Sequence, residues 1–224
     1  CRQRQMCIRD RFYISERKDE VFAKKGKFEA DEIPAATQIF TPNWIVKYMV
    51  QNTVGRIYLD NNPYTTLAYK EKWQYLVEPA EPTPAKAILH YNELTDLKVA
   101  DLACGSGHIL NECFDLLYDL YITEGYTPVE AITHIFQDNL TGIDLDPRAQ
   151  QLSLFALTLK ACQREHSFAD AHCLPRVLTM PKVPLPLPTD TRLAVEIDAA
   201  NILLKDADSL GSIMKFNLTP AARE

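Results

Sequence analysis

The amino-acid sequence predicts an α/β fold built on a parallel sheet, and three features of the chain support that class. An apolar segment at 98–103 (KVADLA) leads directly into a glycine-rich turn, Gly105-Ser106-Gly107. A helical pattern of apolar residues follows the turn, and a second apolar segment, 140–145 (LTGIDL), comes after it. A strand, a turn, a helix and a further strand in this order are typical of a βαβ unit, which binds ligands at the carboxyl ends of its strands.

Length and composition fit one ordinary domain, or one domain with a subdomain. The chain has 224 residues, of which 46% are hydrophobic and 24% charged, as in an average globular protein. No apolar run approaches the roughly 18 residues that a membrane helix needs, and the first residues lack the core of a signal peptide. We therefore expect a cytoplasmic protein with no membrane partner.

The first eleven residues (CRQRQMCIRDR) fit no helix or strand period. They resemble the translated end of an adapter used in preparing sequencing libraries, so we leave them out of the fold prediction; the alternative is a disordered basic arm. Four Arg and one Asp give them a net charge of +3. The whole chain has a net charge of −6, so the remaining residues have a net charge of −9. An acidic remainder is a poor main surface for nucleic acid, because phosphate contacts need Lys and Arg.

Three helix starts share a capping residue followed by proline: Thr41-Pro42, Thr127-Pro128 and Asp146-Pro147. The first residue can accept hydrogen bonds from the orphan amides of the first turn, and proline suits the first helical position. Glu130 completes a capping box with Thr127.

The apolar periodicity predicts four helices in the first 165 residues. They run from Pro42 toward Val54, over about 108–124 with Gly125 as the stop, over about 128–137, and from Pro147 toward Glu165. The first shows an apolar stripe, the second a set of apolar positions at helical spacing, and the fourth an inward face. These are, in turn, Ile45, Tyr48 and Met49; Ile109, Leu110, Cys113, Phe114, Leu117 and Leu120; and Leu152, Phe155, Ala156 and Leu159.

Short strands are predicted at 98–103, 140–145, 176–180 (RVLTM) and 193–197 (LAVEI). The segment 182–190 (KVPLPLPTD) is predicted as a loop; the alternative is a docking segment for a proline-reading domain. The segment 78–86 (EPAEPTPAK) is predicted as a linker. It separates an N-terminal helical segment, 12–85, from an α/β domain, 86–224.

The cysteines indicate thiols in a reducing compartment. Outside the first eleven residues the four cysteines, Cys104, Cys113, Cys162 and Cys173, form no C-x-x-C pair. A zinc site would need Cys162 and Cys173 to converge with His166 and His172, and their spacing matches no common zinc finger. We expect no metal.

The residues at the predicted strand ends and in the turn indicate which class of ligand would bind there. Leu110 stands three positions after Gly107, where a dinucleotide fingerprint has glycine or alanine, and no Lys-Ser or Lys-Thr follows the turn, as an ATP-binding loop requires. Asp101, before the turn, would attract an ammonium group, and Asp144 can accept from both hydroxyls of a ribose. S-adenosylmethionine carries both groups.

Three motifs carry a resemblance to a known family. The segments 38–60 (QIFTPNWIVKYMVQNTVGRIYLD), 101–110 (DLACGSGHIL) and 142–157 (GIDLDPRAQQLSLFAL) resemble adenine-N6 DNA methyltransferases, and most closely the PglX family of BREX phage-defence systems. Type I and combined restriction–modification methylases are more distant. The resemblance covers about 37–165 well and is weaker to 216.

The resemblance implies the Rossmann-like fold of class I S-adenosylmethionine-dependent methyltransferases, with an incomplete sheet after a small helical segment. It implies that Thr41, Pro42, Ala103, Gly105 and Gly107 line the cofactor. It also implies that Asp101 faces the ammonium group, Asp144 the ribose, and Asp206, with Asp208 as competitor, the adenine amino group. The 43 residues from Asp101 to Asp144 fit two helices in a long crossover.

Adenine methylation in this family needs an N-P-P-[YF] tetrapeptide, whose aromatic ring stacks on the flipped base. The near match is 61–64 (NNPY), which has one proline too few, precedes the glycine turn and is predicted as a turn. We therefore expect a gene fragment that ends before the catalytic motif and has no catalytic residue of its own. Double-stranded DNA, and other defence proteins, would be partners of the longer parent protein.

Two alternatives remain open on the sequence. One is a methyltransferase that acts on a small molecule, a protein or RNA, which the FTP motif at 40–42 disfavours. The other is a binding module that uses the fold without turnover.

Overall fold

The computed structural model describes residues 19–24, 27, 41–67, 73–170, 173–179, 184, 186–189 and 191–205. The chain divides into two compact units, Cys1–Thr179 and Met180–Glu224. Within the described ranges, no helix has both the length and the apolar character needed to cross a membrane.

The regular elements alternate between helix and strand in the first unit. Helices α1 and α2 precede strand β1, helices α3 and α4 lie between β1 and β2, and helix α5 lies between β2 and β3; helix α6 belongs to the second unit. Their bounds are α1 Asn43–Asn52, α2 Val54–Asn61, β1 Val99–Asp101, α3 His108–Thr123, α4 Pro128–His134, β2 Leu140–Asp144, α5 Pro147–Arg164, β3 Arg176–Thr179 and α6 Thr191–Leu204. Short 3-10 turns lie at Ala85–Ala87, Leu94–Asp96 and His166–Asp170, and a π-helical turn lies at Ile135–Asn139.

The three strands form one parallel sheet in the order β1-β2-β3. This confirms the predicted βαβ arrangement and the strands predicted at 98–103, 140–145 and 176–180. It also confirms the two helices of the crossover between Asp101 and Asp144, as α3 and α4. The predicted α/β class is therefore correct, with the carboxyl ends of all three strands at one edge of the sheet.

Helix α3 forms the centre of the hydrophobic core. Phe114, Leu117 and Leu120 are fully buried, and Ile109 packs partly buried against the same core. The helix ends as predicted, because Gly125 adopts a left-handed φ of 93°. Its amide donates to the carbonyl of Ile122, and the next amide donates to the carbonyl of Tyr121, which is the pairing of a Schellman cap.

Two of the three predicted caps are confirmed. The Thr127 hydroxyl accepts from the amide of Glu130 in a capping box, and Asp146 accepts from the amide of Arg148. The prediction for Thr41 is wrong: α1 begins one residue later, with Pro42 at the cap position and no side-chain cap.

Helix α1 is apolar on two faces. Val46 and Val50 enter the core, whereas Tyr48 and Met49 of the predicted stripe are exposed, together with Trp44. The core runs without a break from Val46 to residues of β2 and β3, so the boundary predicted at 85/86 does not separate two cores.

A row of polar side chains on α1 and α2 binds the predicted linker and the residues on either side of it. Gln51 accepts from the backbone amide of Tyr75, and the Asn52 side chain donates to the carbonyl of Tyr75 and accepts from the amide of Val77. Further along, Asp60 accepts from the Thr83 hydroxyl, and the Asn61 amide donates to the carbonyl of Leu89. We call this row, from Gln51 to Asn62, the polar clasp. Residues 78–84 are irregular, as predicted, but Ala85 and Lys86 begin a 3-10 turn, and both flanks of the segment are held.

Two predictions about segments that are helical in the structure need correction. The strand predicted at 193–197 is wrong, because these residues lie within helix α6. In α5 the prediction that Phe155 faces inward is also wrong: it is 55% exposed, and Ser153, Ala156, Leu157 and Ala161 are the buried residues.

The segment 61–64 is a turn, as predicted. Asn62 ends α2 and its carbonyl accepts from the amide of Thr65. The Tyr64 side chain is 96% exposed. The Asn62 side chain belongs to the polar clasp, since its amide donates to the Tyr91 hydroxyl.

Candidate functional site

The candidate site lies at the carboxyl edge of the sheet, where β1 and β2 end in Asp101 and Asp144. Asp101 pairs with Gly142 across the parallel ladder, and Asp144 lies two residues further along β2. Side chains alternate along a strand, and paired residues point to the same side. Asp101 and Asp144 therefore extend from one face of the sheet at neighbouring strand ends.

Backbone amides hold both carboxylates in place. Asp144 Oδ2 accepts from the amide of Gly105 at 2.7 Å, and its Oδ1 accepts from the amide of Asp146 at 2.8 Å. Asp101 Oδ1 accepts from the amide of Ala103 at 3.2 Å. Asp144 thus ties the end of β2 to the glycine turn that follows β1.

The charge of Asp144 acts on the carboxyl group of Asp101. Burial raises the pKa of Asp101 above its ordinary value; the bond from Ala103 opposes this shift, and the negative charge of Asp144 adds to it. A cation bound between them would relieve both unfavourable effects, because it favours the ionised form of each group. The site is therefore suited to a ligand with a positive charge.

The glycine turn adopts a conformation that other residues rarely take. Gly105 and Gly107 have φ values of 52° and 80°, in the left-handed region. Gly107 occupies the cap position of α3, which has no side-chain cap. The positive end of the α3 dipole therefore faces the same strand edge as the carboxylates.

Close packing beneath the turn explains the departure from the dinucleotide fingerprint. Leu110 is fully buried, and a Cβ placed on Gly142 would lie 2.6 Å from Leu110 Cδ1. The glycine that lets the helix approach the sheet is therefore on β2, and α3 carries the large side chain.

Helix α1 packs beside α3. Lys47 lies near enough to Glu112 to lower the pKa of that carboxyl, although burial raises it more. One turn further on, Gln51 and Leu116 line the same cleft. Lys47 and Gln51 of α1 and Glu112 and Leu116 of α3 thus line one cleft. The role of Thr41 and Pro42 in the site stays a prediction.

The structure thus brings Asp101, Ala103, Gly105, Gly107 and Asp144 together. Asp206 and Asp208 lie outside the described residues. Sequence reasoning missed two leucines at the site, Leu102 and Leu145, which are 71% and 67% exposed. Each directly follows one of the carboxylates, and the repeated Asp-Leu pair is the signal that could have found them.

The cysteines and histidines show no metal centre within the described ranges, where no group of three metal-binding side chains converges. His172, one of the four residues considered, lies outside those ranges. Cys104 and Cys113 are buried free thiols, and Cys162 and Cys173 are half-buried free thiols. Burial raises the pKa of Cys104 to about 11, so this thiol beside the turn is un-ionised at neutral pH.

Comparison with known proteins gives two clear relatives. The adenine-specific methyltransferase BrxX of Escherichia coli O9:H4 (strain HS) is 48% identical over 158 residues, which cover 68% of this chain and 13% of BrxX. The adenine-specific methyltransferase PglX of Lacticaseibacillus casei (strain Zhang) is 37% identical over 185 residues, 79% of this chain and 15% of PglX. The chain thus spans about a seventh of each relative. No protein-family profile matches it.

Proposed function

Because the chain belongs to the family of BrxX and PglX over the segment that it shares with them, we propose that it is the cofactor-binding part of an adenine-N6 DNA methyltransferase of a BREX defence system. The cofactor would be S-adenosylmethionine, bound at the carboxyl edge of the sheet. One observation carries this proposal: two carboxylates stand on one face of the sheet, at neighbouring strand ends, with the glycine turn between them.

The β1 end would hold the amino-acid part of the cofactor. Within the described residues one hydrogen bond reaches Asp101, at Oδ1, so Oδ2 can accept from the ammonium group. The uncapped start of α3 would face the carboxylate of the same ligand, because helix N-termini favour negative charge. The Ser106 hydroxyl, buried and without a partner within the described ranges, is a further polar atom at this point of the turn.

The β2 end would hold the nucleoside part. Each carboxylate oxygen of Asp144 has a second lone pair after it accepts one backbone amide, so the group can still accept from the ribose hydroxyls. The exposed Leu145 offers an apolar surface beside it for the adenine ring. Asp206 remains our candidate for the adenine amino group.

When bound, the cofactor supplies an electrophilic methyl group for the amino nitrogen of a flipped adenine. The residues of this chain bind it and fix its orientation, which is how an enzyme brings two reactants into line. Thr41 and Pro42, at the start of α1, would lie against the methionine part.

The DNA-reading and base-binding parts would belong to the longer protein, whose partners would be double-stranded DNA and other defence proteins in the cytoplasm. The 224 residues contain no N-P-P-[YF] tetrapeptide. We therefore expect the chain by itself to bind the cofactor without transferring its methyl group.

Calorimetry of the 224-residue chain tests the proposal with S-adenosylmethionine and its stable analogue sinefungin as ligands. Both should bind, and NAD and ATP should not. Absence of binding at about millimolar ligand would overturn the cofactor assignment. Transfer of labelled methyl groups to duplex DNA by this chain would contradict the expected inactivity while leaving the assignment intact.

A further inference from the structure

The floor beneath the glycine turn is formed by a residue of α5. Ser153 is fully buried, and a Cβ placed on Gly107 would lie 2.4 Å from Ser153 Oγ and 3.4 Å from its Cα. The backbone of α5 therefore passes directly under Gly107 with no spare space.

Gly107 is also held from within its own turn. Its amide donates to the carbonyl of Cys104, and its carbonyl accepts from both the backbone and the side-chain amide of Asn111, all at 2.8 Å. These bonds fix how Gly107 is oriented, and Ser153 limits how closely it approaches α5.

The same β2–α5 segment reaches the turn at a second point. Asp144, at the end of β2, accepts from the amide of Gly105, and α5 begins three residues later. The turn is thus held at Gly105 by Asp144 and supported at Gly107 by Ser153. Any displacement of Gly107 away from α5 would also change the distance between Gly105 and Asp144.

We propose that Ser153 is a positioning residue for the cofactor: its small side chain sets the height of the glycine turn above α5, and so the spacing between the turn and Asp144. This inference rests on the proposed cofactor site. It assigns a role in binding to a side chain that faces the core and touches no ligand. The effect depends on the volume of the side chain, so alanine should replace serine without loss of cofactor affinity.

The test compares Ser153→Val with Ser153→Ala in the full 224-residue chain. Valine adds branched bulk beneath Gly107 and should weaken S-adenosylmethionine binding about tenfold, whereas alanine should leave the affinity within about twofold. Ala161→Val is the matched control, because Ala161 is also fully buried in α5 but lies about 12 Å further along the helix. It should lower the melting temperature as Ser153→Val does and leave the affinity unchanged.

Hydrogen exchange at the Gly105 amide supplies a readout that needs no ligand. Ser153→Val should speed this exchange about tenfold relative to the average change across α5, since overpacking stretches the bond to Asp144. Ala161→Val should not. Equal affinities and equal Gly105 exchange in the two valine variants would overturn the positioning role. If the wild-type chain binds no cofactor, the proposed function fails, and the exchange comparison still decides whether Ser153 sets the turn.

Discussion

The β1 end and the β2 end of the sheet each present an aspartate to the candidate site, and the protein holds the two in different ways. Asp144 accepts a backbone amide on each oxygen, one of them from the turn after β1. Asp101 accepts one weaker bond from its own loop, and burial raises its pKa. Asp144 thus stabilises the folded structure, whereas ionised Asp101 is partly desolvated and lowers the stability of the fold.

This difference separates a structural role from a binding role within one site. A group that the fold already satisfies contributes to stability before a ligand arrives. A partly desolvated charge with a free oxygen gains most when a cation arrives, because the ligand supplies the missing interaction. Substitution of Asp144 should therefore lower the free energy of unfolding, substitution of Asp101 should not, and both should weaken binding.

The largest effect is expected for Asp144→Ala. It leaves the amides of Gly105 and Asp146 without their acceptor and should lower the free energy of unfolding by about 2 kcal/mol. Affinity for S-adenosylmethionine should fall about 100-fold, since the ribose contacts and the anchored turn are lost together. Urea unfolding and calorimetry measure the two quantities. Asp60→Ala, which removes a carboxylate of the polar clasp, is the control and should leave the affinity unchanged; a stable Asp144→Ala protein would contradict the stabilising role of Asp144.

A smaller loss is expected for Asp101→Asn. Affinity should fall about tenfold, the value of one charge-assisted hydrogen bond, and the free energy of unfolding should stay equal or rise, because the substitution removes a desolvated charge. Methylthioadenosine, which lacks the ammonium group, should bind the variant and the wild type equally. If the variant loses affinity for that nucleoside as well, Asp101 acts through the structure of the turn and not on the ammonium.

The pH dependence of binding tests the charge of Asp101 directly. Since burial raises the pKa of Asp101 above 3.8, affinity should fall as the pH drops through that raised value, where protonation removes the attraction for the ammonium. The sign for stability is opposite: Asp101 favours the folded state at low pH and loses that contribution as the pH rises through its folded pKa. Calorimetry across mildly acidic pH should show the loss in the wild type and a flatter profile in Asp101→Asn.

The smallest effect is expected for Gly125→Ala, which tests whether lost stability alone could explain lost binding. Gly125 is left-handed like Gly107, but a Cβ on it would meet no atom of the described residues within 4 Å. Alanine should cost about 1 kcal/mol of stability through backbone strain and leave the cofactor affinity unchanged. A parallel loss of affinity would mean that any destabilisation weakens binding, and the contrast between Asp101 and Asp144 would lose its meaning.

The sheet, the turn and the crossover helices were predictable because their signals are local. Apolar strands end in Asp101 and Asp144, glycines mark the turn, and capping residues and helical periodicity mark the helices. The prediction failed at 193–197, where the short, largely apolar segment LAVEI was predicted as a strand. Over the fourteen residues of α6 the apolar positions recur instead at Leu193, Ile197, Ala200 and Leu204, which is helical spacing.

Packing against a neighbouring element was not predictable from one sequence. Hydropathy ranks Phe155 above Ser153 as a core residue, yet α5 approaches the turn so closely that a small side chain faces inward and the large one faces out. The role of Gly142 was hidden for the same reason, since it depends on where Leu110 arrives from α3. Cap geometry at Thr41 failed by one residue, because Pro42 can occupy the cap position itself.

The polar clasp has a practical consequence for proteolysis and truncation of this chain. The proline-rich stretch at 78–86 is the obvious place to divide it, but the side chains of Asn61 and Asn62 bind Leu89 and Tyr91 across that stretch and so join the two pieces. A protease that cleaves there should yield two bands on a denaturing gel and a single species on a native one. Truncating the chain at that point would separate α2 from the residues that the polar clasp binds. We would expect a lower yield of soluble protein.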